Sequence, residues 1–144
     1  MRIAVVDGQG GGIGRHITEK LRRALPEDVE ILALGTNAVA TAGMLRAGAN
    51  EGATGESAVV YNASRVDIIV GPIGILFPHA MLGEVTPRMA EALHDSPARK
   101  VLLPLTRQEV ELVGLRKPEP LPHLVDELVA RVRELVGGGP AGNT

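Results

Sequence analysis

An apolar segment, Ile3–Asp7, runs directly into Gly8-Gln-Gly-Gly-Gly-Ile-Gly14, and an amphipathic stretch follows. Five glycines in seven residues, set between a strand-like and a helix-like segment, restrict the fold more than any other feature of the chain. Backbone without side chains turns tightly and comes close to an anion. The helix that follows aims its unpaired N–H groups and the positive end of its dipole at the same point. The pattern predicts a strand–loop–helix unit that holds a phosphate-bearing small molecule on the N–H groups of Gly10, Gly11, Gly12, Ile13 and Gly14, with Gly8 at the tight turn. Asp7, at the strand end, has two readings: it holds a ligand hydroxyl or a metal-bound phosphate, or it fixes the loop by accepting its N–H groups.

The remaining chain alternates in the same way. Ile13, Ile17, Leu21 and Leu25 recur every four residues, one buried stripe of a helix over Ile13–Ala24 that Pro26 stops. Val29–Leu34 predicts a second strand ended by Gly35, with Thr36 or Asn37 capping a helix to about Ala47. The glycine-spaced segment Ala49–Glu56 reads as a flexible loop, its Asn50, Glu51, Thr54 and Glu56 being either lid contacts or solvated surface. A short helix over Ser57–Ala63 leads to a third strand, Val66–Val70, which Gly71-Pro72-Ile73-Gly74 breaks off. Thr86-Pro87 opens a helix running to about His94. Val101–Leu105 is a fourth strand, and Glu109–Leu115 alternates as a half-exposed edge strand. The link between these two is too short for a helical crossover, so they should pair antiparallel. Lys117–Pro122 is a rigid lead into a last helix, His123–Val136, and residues 137–144 read as a disordered glycine-rich tail.

This order predicts a single Rossmann-like three-layer α/β domain over residues 1–136. Its sheet would be mostly parallel, of about five strands, with an antiparallel edge strand. Such sheets bind ligands beyond the carboxyl ends of the strands, where strand order reverses. The glycine loop lies there. So do Thr36 and Asn37, expected against a ribose or base edge, and Gly71, Pro72 and Gly74, expected as the opposite wall. The apolar stretch Ile73–Leu82 reads as core, as ligand wall or as a homodimer contact.

Composition narrows the function classes. The hydrophobic 44% is almost all Val, Ile, Leu and Ala, with one Phe, one Tyr and no Trp, which suits a sheet buried on both faces. A net charge of −2 with scattered Lys and Arg argues against nucleic-acid binding. Without cysteine there are no disulfides, thiolate nucleophiles or Cys-based metal sites. His16, His79, His94 and His123 show no metal-ligand spacing, and His79, in its apolar surroundings, reads as a buried hydrogen-bonded side chain. No apolar run approaches a membrane span and no charged-then-apolar leader precedes the first strand, so a cytoplasmic protein with no membrane partner is expected.

The spacing Gly8-x-x-x-Gly12-Ile13-Gly14 resembles the Gly-x-x-x-Gly-Ile-Gly loop of short-chain dehydrogenases, which implies NAD or NADP as ligand. The acid that reads the ribose after the second strand is replaced here by Thr36-Asn37, and only Arg15 would serve an NADP phosphate. The catalytic Tyr-x-x-x-Lys has only Tyr61…Arg65 as a counterpart, earlier in the chain, and arginine stays protonated.

Four further stretches, Ala33–Ala38, Ala47–Glu56, Ile68–Gly74 and Met81–Pro87, together with Val5–Gly14 and Glu119–Leu124, resemble a family of small bacterial proteins, mostly from Gram-positive lineages, classed as a domain of unknown function. The resemblance implies a Rossmann-like fold and assigns no activity. The residues predict a nucleotide or dinucleotide binder such as a sensor or accessory subunit. One alternative is an enzyme, either NAD(P)-dependent or acting on a small phosphorylated metabolite through Asp7, Asn37, Glu51 or His79. The other is an interaction domain without a ligand.

Overall fold

The computed structural model describes residues 1–106, 109–115 and 119–137. Five strands, β1 (Arg2–Asp7), β2 (Glu30–Gly35), β3 (Glu51–Thr54), β4 (Ile68–Pro72) and β5 (Arg99–Leu103), alternate with five helices, α1 (Gly12–Ala24), α2 (Ala38–Arg46), α3 (Glu56–Asn62), α4 (Pro87–Asp95) and α5 (Leu121–Val136). The strands are all parallel, in the order β3-β2-β1-β4-β5. Strand order therefore reverses between β1 and β4, and the glycine loop leaves β1 at that point.

β1 is buried from Ile3 to Asp7 because it is central and covered on both faces. Its side chains alternate between two cores. Ile3 and Val5 pack with Ile17 and Leu21 of α1, Met44 of α2 and Val125 and Val132 of α5. Ala4 and Val6 pack with Val59 of α3 and Met89 and Leu93 of α4. The expected caps are present: Asn37 Oδ1 accepts from the Ala40 N–H at 2.9 Å and starts α2, and Thr86 Oγ1 accepts from the Met89 N–H at 3.2 Å and starts α4.

Two expectations are corrected. The segment Ala49–Glu56, read as a loop and possible lid, contains β3, which pairs with β2 at the sheet edge farthest from β5. Its sequence Glu-Gly-Ala-Thr has little intrinsic strand preference. Pairing makes it a strand, and Gly52 permits it, since a Cβ there would lie 2.8 Å from Thr41 Cγ2 and 3.0 Å from Leu45 Cδ1. The segment Glu109–Leu115, read as an antiparallel edge strand, does not join the sheet. Val110, Leu112, Val113 and Leu115 are all exposed, so the alternation has no buried face to define, and Gly114 turns the chain with φ 106°. Of the tail expected at 137–144, residues 138–144 lie outside the described residues, as does part of the proline-rich lead.

Gly14 closes the seam between β1, α1 and α2. A Cβ there would stand 2.7 Å from both Asp7 Cβ and Met44 Sδ. Gly43, inside α2, would gain a Cβ that meets nothing within 4 Å. Gly14→Ala should therefore lower stability by roughly 1–3 kcal/mol through overpacking. Gly43→Ala should raise it by roughly 0.5–1 kcal/mol through helix propensity. Urea denaturation of the two variants checks both signs.

Candidate functional site

Above the carboxyl ends of β1, β4 and β5 lies a cavity of about 440 Å³, within the range of small-molecule sites. One side is the glycine loop, Asp7 to Ile13; the other is formed by Pro72 and Gly74, by Ala80 and Met81, and by Leu105 and Thr106 beyond β5. Of the residues singled out in the sequence, Asp7, Gly8, Gly10, Gly11, Gly12, Ile13, Pro72 and Gly74 meet here. Gly14 and Gly71 are buried in the scaffold beside them, and Thr36 and Asn37 do not line the cavity.

The loop is held from below. Asp7 is 4% exposed, and its two oxygens accept the Gly8 N–H at 2.8 Å and the Gly14 N–H at 2.6 Å. Asp7 thus fixes the loop and satisfies the third N–H of α1, which has no side-chain cap of its own. Gly11 turns into the helix with φ 72°, a conformation costly for residues with a Cβ, and its N–H donates to the Gly8 carbonyl at 2.9 Å. The N–H groups of Gly10, Gly12 and Ile13 find no acceptor among the described residues. A Cβ at Gly10 or Gly12 would meet nothing within 4 Å, so neither glycine is required by packing. The five glycines therefore divide: Gly8, Gly11 and Gly14 serve the fold, and Gly10 and Gly12 front the cavity.

A second carboxylate closes the loop from the β2 side. Glu84 Oε1 accepts from the Gln9 N–H at 2.7 Å, Thr36 Oγ1 at 2.6 Å and Asn37 Nδ2 at 2.9 Å. Glu84 sits on a segment between the 3₁₀ turn Ile73–Leu76 and α4. Buried Ala80 and Val85 anchor this segment, while Met81 and Leu82 take left-handed backbone with φ near 59° and 57°. His79 also has positive φ and is exposed, correcting its reading as a buried side chain: its backbone is what is held, the N–H donating to the Val85 carbonyl at 2.7 Å and the carbonyl accepting from the Gly83 N–H at 3.0 Å. Sequence reasoning missed Gln9, Glu84, Leu105 and Thr106, while Ala80 and Met81 belong to the apolar stretch for which a ligand wall was one of the three readings. Met81-Leu-Gly-Glu-Val85 has no periodicity, and its place over β1 is set by tertiary contacts.

The two carboxylates titrate in opposite directions. Burial pushes Asp7 above the usual aspartate range; the Gly14 and Gly8 N–H groups pull it back only in part, and Glu84 adds to the rise. For Glu84, partial burial is outweighed by the hydrogen bonds from Thr36, Gln9 and Asn37, which hold it below the usual glutamate range. Folding thus favours ionised Glu84, a contribution present above the ordinary glutamate pKa and lost as pH falls through the lowered one. Wild type should exceed Glu84→Gln in stability at neutral pH, and the gap should shrink on acidification below the carboxylate range. Chemical denaturation at both pH values measures this, and a gap independent of pH would show that the charge contributes nothing.

Among the described residues no helix is long and apolar enough to cross a membrane. No curated protein matches the chain by sequence. Among solved structures, a dodecameric FMN-dependent Ubix-like decarboxylase from Escherichia coli is similar in fold, with a TM-score of 0.55 and 18% identity over 95% of each chain. The family model described as a domain of unknown function, DUF3842, matches residues 2–137, and the chain belongs to that family.

Proposed function

We propose that the protein binds a phosphate-bearing mononucleotide, with flavin mononucleotide as the leading candidate, in the cavity over β1, β4 and β5. The observation that carries this reading is the set of N–H groups on Gly10, Gly12 and Ile13, at the N-terminus of α1, beside a cavity with apolar walls. Such groups suit a phosphate, because they donate without needing to reorganise and the helix dipole favours the charge. Ile13, Pro72, Ala80, Met81 and Leu105 suit the flat apolar body of a flavin ring system. FMN is what the structural neighbour depends on, which supports a flavin over NAD or NADP. A bound flavin would supply redox or ring-centred chemistry; this chain's residues supply the phosphate cradle and the apolar wall.

Gly12→Asp tests the reading cleanly. The new side chain has room and stands at the first position of α1, where a carboxylate suits the helix dipole, so the fold should persist. The same carboxylate would face the phosphate and should weaken FMN binding about tenfold or more. Thermal shift with FMN, AMP and sugar phosphates measures this, since a ligand at 100 times its dissociation constant adds about 2.7 kcal/mol. If no phosphate-bearing compound raises the unfolding midpoint of the wild type, the proposal fails.

Self-association is a second reading, favoured by the fully exposed Val113 and the 90% exposed Leu82, next to the cavity residue Met81. A dimer or larger assembly covering Leu82 should weaken in Leu82→Lys, read by light scattering on the eluting protein.

A further inference from the structure

The cavity lies over β1, β4 and β5, and no residue of β2 lines it. In dinucleotide-binding folds the ribose of the second nucleotide half is read just beyond the carboxyl end of β2, one strand over from the glycine loop. Here that place carries Thr36 and Asn37, and both side chains donate to Glu84. With the Gln9 N–H, three donors converge on one carboxylate oxygen, which stands where an anionic or hydroxyl-bearing group would otherwise be received. Gly8 makes this approach possible. A Cβ there would lie 2.2 Å from Thr36 Oγ1, 2.7 Å from Met81 Sδ and 2.9 Å from Glu84 Oε1. The first glycine of the motif thus admits an internal carboxylate. The left-handed backbone of Met81 and Leu82, unfavourable for such side chains, marks a segment held to one shape by its surroundings.

We propose that Glu84 restricts the site to ligands with one phosphate and a single nucleotide half. Its carboxylate occupies the donors at the end of β2 that a second half would use, and its charge opposes a second phosphate beside Gln9. This rests on the mononucleotide reading and names the ligand class that reading admits.

FMN and FAD separate the two claims, because they share the flavin and differ by the adenylate half. Calorimetric titration of both flavins into wild type, Glu84→Gln and Glu84→Ala gives the selectivity directly, with circular dichroism confirming the fold. Wild type should favour FMN over FAD by about tenfold or more, since excluding a partner by charge and filled donors is worth at least that much. Both variants should narrow the preference to about threefold or less, mainly by gaining affinity for FAD. If Glu84→Ala does not fold, Glu84→Gln, which keeps the size and removes the charge, decides the matter alone. Equal binding of both flavins by wild type, or a preference unchanged in the folded variants, overturns the role of Glu84 and leaves phosphate binding standing. Binding of neither flavin by wild type overturns flavin mononucleotide as the ligand, and the selection by Glu84 falls with it.

Discussion

The bridge from Asp7 to the N–H groups of Gly8 and Gly14 is the contact on which the rest of the site depends. One carboxylate at the end of the central strand receives the first N–H of the loop and an early N–H of α1, so strand, loop and helix share a single anchor. Burial opposes its charge, and the two donors only partly compensate. That arrangement commits the Gly14 N–H to the protein itself. Among the described residues, the N–H groups left unpaired at the helix start are then those of Gly12 and Ile13, two and one residues earlier.

The flanks of the loop differ for the same reason. Toward β2, Glu84 takes the Gln9 N–H and the side chains of Thr36 and Asn37. Toward β4 and β5, the wall is Pro72, Gly74, Leu105 and Thr106, with few polar groups. Two carboxylates thus stand near a loop suited to an anion. Arg15 lines an adjoining groove, with His16 and Glu19, that shares Gly12 and Ile13 with the cavity, so one guanidinium stands near the loop.

Much of this was readable from the chain. The strand–glycine–helix opening, the period of four in α1, the Asn37 and Thr86 caps and the parallel three-layer order all follow from local residue chemistry. β3 was not readable, because Glu51–Thr54 is a strand only through pairing with β2 and the space Gly52 leaves for α2. The alternation of Glu109–Leu115 misled because period two signals a strand only where one face is buried. At the site, the near wall was legible in the glycines and the far wall in Pro72 and Gly74. Glu84 was not. It lies 75 residues from Gln9 in sequence, within a segment lacking helical or strand period, and no local rule connects the two.

The edges of the sheet carry a consequence for the protein in concentrated solution. A parallel sheet with two open edges offers unpaired N–H and C=O groups to any other chain, the usual start of strand-by-strand aggregation. Here one edge is β3, four residues long with an exposed glutamate and a glycine, and the other, β5, begins with Arg99 and Lys100. A short, weakly strand-forming edge and a charged one make poor templates, so the five-stranded sheet of the described residues resists extension by neighbouring molecules.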